Sequence, residues 1–123
     1  NLVVLREEGV TTVAEITERG KRKLLRLEFE NLAIPIPRRW DGRWRLVAFD
    51  IPEKKKTARE ALRRKLRELD FIPIQRSIWA HPFACTHEVN FIAEVLRVSP
   101  YLWLIEAAHI DHEDYLKKKF NLT

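Results

Sequence analysis

The hydrophobic period divides the chain into two parts joined by a proline-rich crossing. Residues 2–6 are apolar and partly β-branched, and Val10–Ile16 resumes an extended pattern after Glu7-Glu8-Gly9. With Gly9 suited to a turn, this predicts a β-hairpin. Thr17 offers a hydroxyl to cap a helix running from Glu18 into the low 30s, with Leu24, Leu25, Leu27, Phe29 and Leu32 among Arg and Lys. Ala33-Ile34-Pro35-Ile36-Pro37 follows. Each proline fixes its own φ and disfavours helix at the preceding residue, so a stiff linker is expected, completed by Arg38–Gly42. The division falls between residues 1–39 and 40–123. One hairpin and one helix bury little surface, so the first part reads as the end of something larger. A start at Asn1 instead of Met fits that reading.

The second part is richer. Trp44–Ile51 is a nearly continuous apolar run of strand length, expected to be central and covered on both faces. Ala58, Leu62, Leu66 and Leu69 recur at helical spacing and predict a helix over 57–69, with Thr57 as cap. Lys56, Arg59, Arg63, Lys65 and Arg67 are placed on its outward side, and Glu60 can pair with Arg64. Phe71–Trp79 reads as a second strand. Pro73 demotes its early part to an edge or bulge, and its continuation to Phe83 implies a long bent strand or a hairpin. Thr86 is expected to cap a helix to about Arg97, ended by Ser99-Pro100. Leu102–Ile110 is a further strand, and Asp111–Thr123 a short helix or docking tail. Strand, helix, paired strands, helix, strand is the split β-α-β order of an α+β, ferredoxin-like domain. Its two helices cover one sheet face. The other, with four tryptophans and six phenylalanines available, predicts a homodimer through the sheet.

Charge changes the picture. The 123 residues hold 23 Lys and Arg against 18 acids, net +5. Residues 41–83 alone carry net +5 and residues 84–123 carry −2. A positive central block suits a phosphate backbone, or simply a solvated helix face. The single cysteine, Cys85, excludes an internal disulfide framework and a four-cysteine zinc site. No apolar run reaches the roughly 18 residues of a spanning helix, and no leader is evident. A cytoplasmic setting is expected.

Trp40-Asp41-Gly42-Arg43-Trp44-Arg45-Leu46-Val47-Ala48-Phe49-Asp50-Ile51-Pro52-Glu53, then Arg59–Leu66 and Ile74-Gln75-Arg76-Ser77-Ile78-Trp79-Ala80-His81-Pro82, resembles the central domain of PaaX-type transcriptional repressors. That domain is itself similar to the small CRISPR-associated endonuclease, the second universal spacer-adaptation protein. The resemblance covers roughly residues 40–120. It implies that residues 40–123 are a ferredoxin-like dimerisation domain with a C-terminal tail. It also implies that residues 1–39 are the wing hairpin and connecting helix of a winged helix-turn-helix, plus the linker. Thr17-Glu18-Arg19-Gly20-Lys21 resembles the start of the helix that often follows a wing. The recognition helix is absent from these residues. So is the C-terminal part of the full repressors, with which an acyl-CoA response is associated.

Candidate chemistry centres on Asp50. A carboxylate ending a central strand is an oxygen ligand for Mg²⁺, which keeps several waters and needs only one or two protein carboxylates. The nuclease resemblance implies two copies of Asp50 around one ion, whose activated water attacks a phosphodiester. Alternatively Asp50 accepts backbone N–H bonds in its turn or caps the next helix. Lys54, Lys55, Lys56, Arg59, Arg63 and Arg67 form the nucleic-acid footprint, contacting phosphates without reading sequence. Trp40 and Trp44 either stack on bases or pack the linker against the domain. His109, Asp111, His112, Glu113 and Asp114 are rich in donors but read as a solvated chain end. His81, His87 and Cys85 read as turn, cap or core residues. The leading expectation is a DNA-binding regulator with a dimeric scaffold. The alternatives are a Mg²⁺-dependent endonuclease or adaptation scaffold, and a pure interaction module.

Overall fold

A computed structural model describes residues 3–8 and 11–122, with side chains from Thr17 onward. The chain forms two compact units, 1–32 and 33–123. In the first, β1 (Val3–Glu8) and β2 (Thr11–Ile16) pair antiparallel, Val3 opposite Ile16 and Glu8 opposite Thr11. Gly9 and Val10, where the turn is expected, lie outside the described residues. Helix α1 (Glu18–Glu30) starts as the sequence predicts: the Thr17 hydroxyl accepts the Gly20 N–H at 3.0 Å.

The second unit is an α+β, ferredoxin-like domain. Its strands are β3 (Trp44–Phe49), β4 (Ile72–Gln75), β5 (Ile78–His81) and β6 (Leu102–Ala107), in the antiparallel order β4-β5-β3-β6. Phe71–Phe83 is thus a hairpin, bulged between Pro73 and Gln75, with Pro73 on an edge strand that tolerates its missing N–H. Helices α2 (Lys56–Glu68) and α3 (Thr86–Val95) make the two crossovers. Right-handed crossovers place both on one face. Leu62, Leu66, Val89 and Ile92 are buried together with the sheet's Val47 and Trp79.

Alternation puts Trp44, Leu46, Ala48, Ile72, Ile78, Ala80, Trp103, Ile105 and Ala107 on the second face. This face is not wholly bare. Asp111–Thr123 supplies helix α4 (Glu113–Lys119), whose buried Leu116 packs with Trp44 and Ala80, surrounded by Trp40, Ile72, Ala107 and Phe120. Glu113 and Asp114 in its first turn and Lys117–Lys119 in its last match the helix dipole.

Several local expectations are corrected. Strand β3 ends at Phe49 and β6 at Ala107, because the β3–β6 ladder runs only from Trp44–Ala107 to Phe49–Leu102. Helix α2 has Lys55 at its N-cap without a side-chain bond, so Thr57 caps nothing. Thr86 is the first residue of α3, after an N-cap Cys85 that also makes no side-chain bond. Lys65 is 4 % exposed, not outward, and its ammonium reaches Glu68 at 3.4 Å. Glu60 pairs with Arg63, not Arg64. Among the described residues, no helix is long and apolar enough to cross a membrane.

Candidate nucleic-acid interface

Asp50 follows the last residue of β3. Its backbone N–H donates to the Tyr101 carbonyl at 2.8 Å, and the Phe49 N–H donates to the Ser77 carbonyl at 3.0 Å. The strand end is therefore tied to the β4–β5 turn on one side and to the segment before β6 on the other. The Asp50 carboxylate is exposed and makes no hydrogen bond or ion pair with any described residue. It neither caps α2 nor closes its own turn. It leaves one free carboxylate per chain, and a second copy would bring the two carboxylates that Mg²⁺ commonly takes beside its waters. No group of three His, Cys, Asp or Glu side chains among the described residues is arranged to hold a metal.

The basic stripe divides into engaged and free cations. Arg59 pairs with Glu53 at 3.0 Å. Arg63 pairs with Glu60 at 2.6 Å, donates from Nε to the Arg76 carbonyl at 3.1 Å, and lies over the Phe49 ring. Arg67 covers the Trp79 ring at 5.4 Å. Lys55 donates to the Arg97 carbonyl at 2.6 Å and lies near the Tyr101 ring. Lys54 and Lys56 are exposed and bond to no described residue. Other exposed cations share that condition, among them Arg76 in the β4–β5 turn, Arg97 after α3, and Arg38, Arg39, Arg64 and Lys118 elsewhere on the domain. Arg76 sits inside the Gln75–Trp79 pattern and was visible there. Arg97 carried no sequence signal.

The Trp-Asp-Gly-x-Trp-Arg run builds the opposite end of the sheet. Gly42 takes φ +81°, strained for any other residue type. The turn lets Asp41 accept the Arg43 N–H at 2.9 Å and grip the nearly buried Arg45 with two bonds, at 2.9 and 2.6 Å. The Arg45 guanidinium holds the Asp41 carboxyl at about 2. Arg45 also donates to the Pro82 carbonyl at 2.8 Å. Trp40 donates to the Arg43 carbonyl, and its ring meets Trp44 edge-on at 4.9 Å. Trp44 donates to Glu113 at 2.9 Å, clamping α4. Both tryptophans pack the domain and present no stacking platform.

The remaining candidates are quiet. His109 lies 3.8 Å from Asp111 and 3.9 Å from Glu113 on an exposed chain segment. His87 is exposed at the start of α3. Cys85 is buried, and burial pushes its thiol up to about 12, so no thiolate nucleophile forms at neutral pH. On the second sheet face, beyond the reach of α4, Trp103 stays 57 % and Ile105 44 % exposed.

A family model described as "PaaX protein central Cas2-like domain" matches residues 37–118. No curated protein matches the chain.

Proposed function

The chain belongs to the family of PaaX proteins with a Cas2-like central domain, and on that premise we propose that it serves a cytoplasmic, DNA-binding transcriptional regulator. Residues 40–123 act as the dimerisation scaffold, and residues 1–39 as wing hairpin, connecting helix and linker. The observation that carries this reading is the uncovered part of the second sheet face. Ala48, Ile78, Trp103 and Ile105 form an apolar surface without a charged member. A two-fold axis sets each residue against the same surface of a second copy, and an uncharged patch meets itself without like-charge repulsion. A two-fold scaffold is what a reader of inverted-repeat DNA requires. The basic segment Lys54–Arg67 would add sequence-independent phosphate contacts.

Selection of duplexes by the full-length protein from a random library tests this. Recovery of paired half-sites in inverted repeat is the expected result. A protein that enriches no sequence is not such a regulator.

The free carboxylate of Asp50 favours a second reading, a Mg²⁺-dependent endonuclease in which two copies share one ion. A pair of Asp50 side chains would hold the ion, which would activate a water for attack on phosphorus. Cleavage of DNA or RNA that needs Mg²⁺ or Mn²⁺ and disappears in Asp50→Ala would support it. Equal cleavage by both proteins would dismiss it.

A further inference from the structure

We infer that the C-terminal end of β3 carries a binding site for the phosphate backbone of duplex DNA, built from Lys54, Lys56, Arg76 and Arg97. The inference rests on the DNA-binding reading above and relocates its contacts. Arg59, Arg63 and Arg67 are engaged by Glu53, Glu60 and the Trp79 ring, and a phosphate would have to displace those partners. The four proposed residues are exposed and bond to no described residue, and Glu53 and Glu60 reach Lys56 and Arg76 only through Coulombic attraction without a hydrogen bond or ion pair.

Hydrogen bonds bring the four to one end of the sheet. The Lys55 ammonium on the Arg97 carbonyl joins the Lys54–Lys56 segment to the end of α3. The Arg63 bond to the Arg76 carbonyl joins α2 to the β4–β5 turn. The Phe49 and Asp50 amides hold the β3 end between that turn and Tyr101. Lys55 adds to the field, because its acceptor is a neutral carbonyl. Asp50 and Glu94 are the unpaired acids of these segments.

Arg97 supplies a separate argument. It occupies the left-handed position after α3, at φ 57°, with the Val98 N–H bonded to Ala93 and its own N–H to Glu94. The same closing bonds end α2 at Asp70 and α4 at Asn121, residues that tolerate this conformation, and glycine tolerates it best. Helix termination alone does not select a long cation there.

The test is the salt dependence of binding between the full-length protein and a labelled duplex of arbitrary sequence. Removing one phosphate-binding cation lowers the slope of log affinity against log salt by about 0.9. Lys54→Ala/Lys56→Ala/Arg76→Ala/Arg97→Ala should therefore lower it by about 3 to 4. Arg97→Gly should lower it by about 1 with Tm equal or higher, whereas Arg59→Ala should lower Tm and leave the slope unchanged. A fourfold variant with wild-type Tm and slope overturns the site but spares the regulator reading. Arg97→Gly with lower Tm and wild-type slope reduces Arg97 to a helix terminator and removes it from the site. Preferential competition by single-stranded RNA overturns the duplex assignment. A wild-type protein that binds no duplex at low salt overturns both readings.

Discussion

His81 shows how much one buried side chain can decide. It closes β5 at 5 % exposure, with Phe71, Phe83 and Phe120 ring centroids at 4.9, 5.6 and 5.7 Å. Its Nδ1 accepts the Phe83 N–H at 3.1 Å, which fixes a neutral imidazole with its proton on Nε2. Burial pushes its pKa down to about 4, against about 6.5 in an unfolded chain. The unfolded state therefore binds the extra proton between those values, and stability falls as pH falls from about 6.5 to 4. The loss should reach about 2–3 kcal/mol, at roughly 1.4 kcal/mol per pH unit. Asp41 works lower down. Its carboxyl is held at about 2, so its contribution is complete above about pH 4 and fades only as pH falls towards 2. Urea denaturation at about pH 7 and about pH 4.5 separates the two. In His81→Asn, whose amide oxygen can replace Nδ1 as acceptor, the difference between those pH values should shrink to under about 1 kcal/mol. An unchanged difference would mean that another group titrates.

Elements with strong periodicity were legible in the sequence. The Ala58-Leu62-Leu66-Leu69 spacing gave α2 within a residue at either end, and the apolar run gave β3 its central place. The helix ends were less legible, because all three helices of the domain close through left-handed residues that are not glycine: Asp70, Arg97 and Asn121. A chain with three glycines offers no such marker where it is most useful. Lys65 misled for another reason: its charge pointed to solvent, but tertiary packing put its face of α2 inside. At the candidate interface, sequence order located Asp50 and the lysine run. It could not show which arginines find carboxylates or rings, since those partners come from other elements. Helix α4 was the most ambiguous segment. Seven residues make a marginal helix alone, and it forms against the sheet through Leu116 and the Trp44–Glu113 bond. Leu116→Ala should cost about 2–3 kcal/mol of α4 docking. Hydrogen exchange would show α4 amides losing protection while β3 and β5 keep theirs, with Trp44 emission shifting to the red. Equal loss throughout the sheet would make α4 part of the global folding unit.

At the scale of the whole molecule, the domain is polarised. One end of the sheet gathers Lys54, Lys56, Arg76 and Arg97 around Asp50. The other pairs Asp41 and Glu106 with Arg43 and Arg45, and Glu113 with Lys117. Between these ends lies the apolar part of the second face. Helix α4 seals its Trp44–Ala107 end, so a second copy would have to seat on the end nearer Trp103 and Ile105. Trp103 has the attributes of an interface anchor: a large aromatic on edge strand β6, bordering an uncharged patch and more than half exposed in the single chain. Sedimentation of the purified protein should therefore give twice the mass of one chain at micromolar concentration, with a Tm that rises with concentration. Trp103→Glu places two carboxylates against each other across the axis. It should give a monomer with an unchanged far-ultraviolet spectrum and a concentration-independent Tm. Trp103 pairs with Ala48 at the same end of β3 as the cations, so the added carboxylate should also weaken non-specific duplex binding per chain at low salt, alongside the loss of selectivity for paired half-sites. A wild-type protein that stays monomeric, or a Trp103→Glu dimer as tight as wild type, would place the interface elsewhere.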